Sequence, residues 1–154
     1  MPVIRLDDCY HTDPALAPAL PRYDGPGRVV NFSDPAAIDP GRLRRYPAEH
    51  SDGALVIVEG IFALTLPQLR AAARWKVYID TPPDISIARK TLRRIAEGRD
   101  PALTLRGYLE HGRAAYLTHI APGRHVADLV VDGTAAVAEA ASVIVRHVRP
   151  AAAG

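Results

Sequence analysis

The sequence predicts an α/β fold, a parallel sheet covered by helices on both faces, and two features carry that expectation. Short runs that are apolar almost throughout alternate with longer stretches rich in helix formers. A strand buried on both faces reads as such a continuous apolar run, whereas a half-exposed strand alternates apolar with polar residues. At 154 residues the chain suffices for one domain with a sizeable core, and no internal repeat or linker divides it.

The elements follow in order. Val3 to Leu6 reads as a buried strand running into Asp7-Asp8. His11 to Pro40 is polar, rich in Pro and Gly, and free of helical or strand periodicity, which predicts a long surface loop of the kind that is functional or disordered. Gly41 to Tyr46 reads as a short helix, and Ala54 to Val58 as a second strand ending at Glu59-Gly60. Leu66 to Ala73 is helical, and Trp75 to Ile79 is a third strand ending at Asp80. Pro82-Pro83 opens a helix over Asp84 to Glu97, because the fixed φ of proline suits a first helical turn, and Gly98 closes it. A helix over Ala102 to Ile120 is stopped by Pro122-Gly123; Ala127 to Val131 is a fourth strand and Thr134 to Val145 an amphipathic last helix.

In open parallel sheets ligands sit at the carboxyl ends of the strands. That rule gathers Asp7, Asp8, Glu59 and Asp80 along one edge. Taken singly, each reads as a cap or a solvated loop acid. Three consecutive strands ending in an acid suit a Mg²⁺–nucleotide site.

Composition narrows the class. With 48% hydrophobic and 23% charged residues the chain matches an ordinary globular protein. No apolar run approaches the roughly 20 residues that cross a bilayer, and two aspartates interrupt the N-terminus, so the expected location is cytoplasmic with no membrane partner. Cys9 stands alone beside Asp7 and Asp8, whose field disfavours a thiolate, so it reads as a packing residue. The net charge is only +2, but 17 of the 19 cations are Arg, the side chain shaped for bidentate phosphate contacts. Base composition accounts for that bias equally well. No basic patch interleaved with aromatics supports nucleic-acid binding. His11, His50, His111, His119, His125 and His147 fall at no metal-ligand spacing.

Five segments occur in a telling order: LDDCYH (Leu6 to His11), NFSDPAAID (Asn31 to Asp39), VIVEGIFAL (Val56 to Leu64), YIDTPPDISIARKTLRRIAEGRD (Tyr78 to Asp100) and YLEHGRAAYLTHIAPGRHVADLVV (Tyr108 to Val131). Together they resemble the uridine kinase and phosphoribulokinase group of P-loop kinases, over most of the chain. The resemblance implies a single P-loop kinase-like domain, ATP and Mg²⁺ as cofactors, and a small-molecule hydroxyl substrate; a homo-oligomer is compatible with it. It implies Asp7 as the group that activates the acceptor hydroxyl, with Tyr10 and the Asn31 to Asp39 stretch in the acceptor pocket. Ser33 stands where the family has a ribose-gripping Asp, and Asp34 is the stand-in one place later. Glu59 would help to hold Mg²⁺. Arg89 and Arg93, four apart on one helical face, and Arg99 after Gly98 would clamp the triphosphate. Arg124 and His125 fall on the adenine side. Phosphoryl transfer needs this division of labour, a base, a metal on the phosphates and cations on the moving charge.

The G-x-x-x-x-G-K-[ST] loop that cradles phosphates is not in these residues; neither Lys76 nor Lys90 follows a Gly-rich turn. The resemblance places that loop upstream of the first strand, so the expectation is an N-terminally truncated member whose sheet lacks its central first strand and first helix. The strands at Ala54 to Val58 and Trp75 to Ile79 would then lack the strand between them. Such a chain alone is expected to be marginally stable and to bind ATP poorly. The stretch between Asp39 and Val56 is also too short for the hairpin that contacts the pyrimidine in true uridine kinases, which leaves another nucleoside or a small hydroxylated metabolite open as acceptor. Two alternatives stay open: a non-catalytic binding or regulatory protein, and a same-fold kinase for a sugar or vitamin alcohol.

Overall fold

Residues 2–49 and 55–148 are described by a computed structural model. Strand β1 (Val3–Arg5) runs into a 3₁₀ turn, Leu6–Cys9, and is followed by β2 (Ala19–Pro21) and β3 (Arg28–Val30). A 3₁₀ turn at Pro35–Ala37 precedes α1 (Pro40–Glu49), β4 (Ile57–Glu59), α2 (Pro67–Ala72), β5 (Val77–Asp80) and α3 (Pro83–Ala96). Then come α4 (Pro101–Gly107), α5 (Arg113–Ala115), β6 (Leu129–Asp132) and α6 (Val137–Val148).

The parallel strands form two ladders. β1 pairs with β4, register Arg5↔Glu59, and β5 pairs with β6, register Asp80↔Asp132. β4 and β5 do not pair with one another. The alternating α/β architecture is therefore as the sequence predicts; among the described residues all four parallel strands pair on one side only, β4 and β5 included. Apolar residues at these strands stay open to solvent, with Ile57 39% and Ile79 52% exposed.

One expectation is overturned. The stretch His11 to Pro40 is not a structureless loop, because β2 and β3 pair as an antiparallel hairpin with Leu20 opposite Val29. Its turn is closed by the Arg22 N–H donating to the Gly27 carbonyl at 3.1 Å and by a bidentate Arg22–Asp24 pair at 2.9 Å. Three-residue strands are too short to show a period of two, which is why the pattern is silent there.

Boundaries shift elsewhere. The helix expected at Gly41 to Tyr46 spans Pro40–Glu49, nucleated by the Asp39 carboxylate, which accepts the Gly41 N–H at 2.7 Å and the Arg42 N–H at 3.3 Å. Those backbone bonds hold Asp39 below the usual carboxylate range. The second strand begins later than expected and includes Glu59; Ala54, its expected start, and His50 lie outside the described residues. The expected long helix is helical throughout but not uniformly α: π turns at Tyr108–Gly112 and Tyr116–Ile120 flank α5. Pro122-Gly123 tightens it into a 3₁₀ turn, Ala121–His125, before it ends. Gly98, at φ +71°, terminates α3 as expected, with the Arg99 N–H reaching the Arg94 carbonyl at 2.8 Å.

The main core gathers Leu6, Cys9, Tyr10, Val30, Ala37, Ile38, Leu43 and Phe62. Cys9 is fully buried there, and burial first, then Asp8, pushes its thiol pKa up, in keeping with a packing role. The second ladder is joined to this core through the segment after β4. Thr65 Oγ1 donates to the His119 carbonyl at 2.6 Å, Phe62 meets His119 edge-on, and buried Gly123 packs against Leu64 and Tyr78.

Candidate functional site

The pairing of β1 with β4 sets the geometry of the first edge. Because Arg5 lies opposite Glu59, Asp7 in the 3₁₀ turn after β1 and Glu59 at the end of β4 emerge from the same end of one ladder. Both are exposed. Arg5 Nε lies 3.9 Å from Glu59 Oε1, a loose surface pair that leaves the carboxylate open to other ligands.

Gly60 fixes the exit from that edge. Its φ is +148°, and a Cβ there would fall 2.6 Å from Leu6 Cβ. Only glycine lets β4 turn so close under the Leu6 side chain at the base of the Asp7 turn.

Behind Asp7 the chain builds one wall of a pocket. Tyr10 is buried, its hydroxyl donates to the Phe32 carbonyl at 3.2 Å, and its ring meets Phe32 edge-on at 5.1 Å. Burial, then Asp7, pushes the Tyr10 pKa up, so the phenol stays a donor. Tyr10 thus supports the Asn31 to Asp34 stretch from beneath. Asp34 spends one carboxylate oxygen on the Ala36 N–H at 2.9 Å, capping the Pro35–Ala37 turn.

Asn31, Phe32 and Ser33 line a pocket of about 380 Å³ whose far wall is α3 and the start of the long helical stretch. From α3 it takes Lys90 and Arg94, and beyond α3 it takes Arg99. Asp7 lies near enough for its charge to act on Lys90. The hairpin closes the side: Tyr23 donates to Glu110 Oε2 at 2.8 Å, and Arg106, itself 2.7 Å from Glu110 Oε1, stacks 4.7 Å over the Tyr23 ring. The π turn at Tyr108–Gly112 brings Tyr108 and His111 to the same pocket.

Of the predicted residues, Arg99 alone lines this pocket; Tyr10 lies behind it against Phe32, Asp34 follows Ser33 of its wall, and Asp7 and Glu59 stand at the end of the β1–β4 ladder. The others lie apart. Arg89 donates to the Gly133 carbonyl at 2.7 Å, and Arg93 is exposed near Lys90. Arg124 Nε donates to Asp80 Oδ2 at 3.0 Å beside a second pocket of about 410 Å³ that also includes Asp132 and Thr134. His125 is exposed at the end of the neighbouring 3₁₀ turn. Lys90, Arg94 and His111 were not singled out from sequence. The i, i+4 spacing that draws attention to Arg89 and Arg93 is shared by Lys90 and Arg94 one residue on.

Among the described residues no three His, Cys, Asp or Glu side chains gather to hold a metal ion. Glu59, with 54% of its side chain exposed, fits an ion that takes one or two carboxylates and completes its shell with water and phosphate oxygens, as Mg²⁺ does.

The described phosphoribulokinase / uridine kinase family model matches residues 27–139, covering the Asn31 to Asp39 stretch, Glu59, α3 and β6. Asp7 and Tyr10 lie before the matched span. A uridine kinase of Deinococcus deserti is 36% identical over 80 residues, 51% of this chain and 39% of that protein. Uridine kinases of Shewanella baltica and Vibrio cholerae are 38% and 37% identical over 78 residues, 50% of this chain and 37% of theirs. The matched segment thus spans less than two fifths of these curated relatives. With nearly three quarters of its residues inside the family match, the chain belongs to the phosphoribulokinase / uridine kinase family.

Proposed function

We propose that the chain is the acceptor-side and lid portion of an ATP-dependent phosphotransferase that phosphorylates a hydroxyl of a nucleoside or other small metabolite. The observation that carries this reading is the β1–β4 register, Arg5↔Glu59, which supports a base and a metal-binding carboxylate acting from one strand edge. Asp7 accepts the proton of the attacking hydroxyl, and its exposure leaves it free for that contact. Glu59 binds Mg²⁺, directly or through water. Bound ATP would supply the phosphoryl group, and a Mg²⁺ held at Glu59 would neutralise charge on its phosphates. Tyr10 and Asp34 shape the acceptor pocket. Arg89, Arg93 and Arg99 answer the nucleotide's phosphates, with Arg124 and His125 on the adenine side. The relatives' name makes uridine the first acceptor to try.

The alternative reading is a non-catalytic binding or regulatory protein. A single experiment separates the two. The chain alone, and the chain fused behind a strand, G-x-x-x-x-G-K-[ST] loop and helix of a P-loop kinase, are assayed for Mg²⁺-dependent transfer from [γ-³²P]ATP to a panel of alcohols. The kinase reading predicts alcohol-dependent transfer by the fusion. A folded fusion that binds ATP but transfers to no alcohol supports the non-catalytic reading instead.

A further inference from the structure

The β2–β3 hairpin is fixed at its base and lightly held at its tip. At the base the Asn31 N–H donates to the Pro18 carbonyl at 2.7 Å, and Val30 is buried in the main core. Burial falls away from there. Arg28 and Val29 are exposed, as is the turn from Asp24 to Gly27, and a Cβ on Gly25 would meet nothing within 4 Å. Tyr23 is the half-buried residue of the tip. Among the described residues its hydroxyl makes the one hydrogen bond that leaves the 22–27 turn, to Glu110 Oε2. Burial first, then Glu110, pushes the phenol pKa up, so it stays a donor. Its ring lies along the helix, Cε2 being 3.6 Å from where a Cβ of Gly107 would stand. Arg106 covers the ring and holds the other Glu110 oxygen, so the carboxylate serves one partner with each oxygen.

The hairpin gives Leu20, Tyr23 and Val29 to the pocket, and the facing helical wall gives Thr104, Gly107 and Tyr108. The contact of Tyr23 with that wall therefore sets how wide the pocket stands. Resting on the reading of this pocket as the acceptor site, we infer that the β2–β3 hairpin is a flap over it, hinged at Pro18 and Asn31, with Tyr23 and Glu110 as its latch. Latched, the hairpin closes the side of the pocket. Unlatched, its tip swings away from α4 and the acceptor enters or leaves. The side chains of Arg106 and Glu110 are 59% and 41% exposed, so water competes for the latch and its hold is reversible. Losing one such hydrogen bond shifts the balance of closed and open about three- to tenfold. Tyr23 and Glu110 act on the acceptor through the hairpin and are positioning residues.

The test reads the hairpin directly and needs no ligand. A nitroxide is attached at Gly25→Cys, and its broadening of amide signals is followed by NMR. Fully buried Cys9 is not expected to take the label, and the wild type treated with the same reagent checks this. Strong broadening is expected from Arg106 to Gly112. It should fall about twofold or more in Tyr23→Ala, and by less in Tyr23→Phe, which keeps the ring and loses the hydroxyl. Broadening at Leu20 and Val29 should persist in every variant, since the hairpin swings as a unit. The inference is overturned if broadening from Arg106 to Gly112 is absent in the labelled chain or unchanged in Tyr23→Ala. It is also overturned if Leu20 and Val29 lose theirs, because the hairpin then unfolds instead of swinging. In the fusion, Tyr23→Phe should raise the KM for the best alcohol about three- to tenfold with little change in the KM for ATP. Equal effects on the two KM values would contradict the latch. No transfer by the fusion to any alcohol sinks the kinase reading and leaves the NMR result standing, whereas unmoved broadening in Tyr23→Ala sinks the latch alone.

Discussion

Replacing Gly60 by alanine perturbs the strand edge where Glu59 and the Asp7 turn meet. Two costs add. The backbone sits at φ +148°, a region that L side chains occupy only under strain, at roughly 1–3 kcal/mol. The new Cβ falls 2.6 Å from Leu6 Cβ and 3.1 Å from Leu6 Cγ, and Leu6 is 1% exposed within the main core, so it has no free volume to retreat into. Overpacking of that kind costs about 1–3 kcal/mol more. The expected loss is roughly 2–6 kcal/mol, a large share of the 5–15 kcal/mol typical of a domain. Urea denaturation followed by circular dichroism reads it. Gly25→Ala is the control, because a Cβ there meets nothing within 4 Å and the change should stay within about 0.5 kcal/mol. If Gly60→Ala unfolds at the same urea concentration as the wild type, the close approach of β4 to the Leu6 turn is not as described.

Three further outcomes follow from the same structure. The Lys90 titration, followed by NMR at its Cε, should move to lower pH in Asp7→Asn and to higher pH in Arg94→Gln, since Asp7 favours the ammonium and Arg94 opposes it; no movement in either would separate Asp7 from this pocket. Asp39 is held below its ordinary value by the Gly41 and Arg42 amides, so its contribution to stability is present above about pH 4 and is lost as pH falls through its lowered pKa. Asp39→Asn, which keeps an acceptor at the cap without the titration, should flatten that acid limb of a stability–pH curve. The chain alone should bind Mg²⁺–ATP more weakly than micromolar and be only marginally stable, because β4 and β5 each keep an unpaired edge; a highly stable fold with micromolar affinity would contradict this.

What was legible in the sequence was the part set by apolar patterning and backbone chemistry. The four parallel strands were found because each is a compact apolar run, and Gly98 and Pro82-Pro83 marked the ends of α3 through their own φ preferences. The β2–β3 hairpin was not, because its pairing depends on a turn locked by Arg22 and Asp24 and its strands are three residues long. The placement of Asp7 and Glu59 at neighbouring strand ends was legible, because the register follows from the parallel pairing. It was not legible on α3. Arg89, Lys90, Arg93 and Arg94 form two overlapping i, i+4 pairs, and no residue of α3 is buried to declare an inner face. Only the packing of α3 on α4, with the hairpin across the pocket, shows that Lys90 and Arg94 line it, while Arg89 turns to the Gly133 carbonyl. The π turn that brings His111 to the pocket is likewise a tertiary adjustment that the helix formers around it do not announce.

The central claim is that Asp7 activates an acceptor hydroxyl for attack on ATP. Its most direct measurement is the steady-state rate of Mg²⁺-dependent phosphoryl transfer to the best alcohol of the panel, for the fusion protein and its Asp7→Asn variant, with both shown to bind ATP equally. The account predicts a fall in kcat of about 100-fold or more with little change in the KM for ATP. Equal turnover in the two proteins would contradict it.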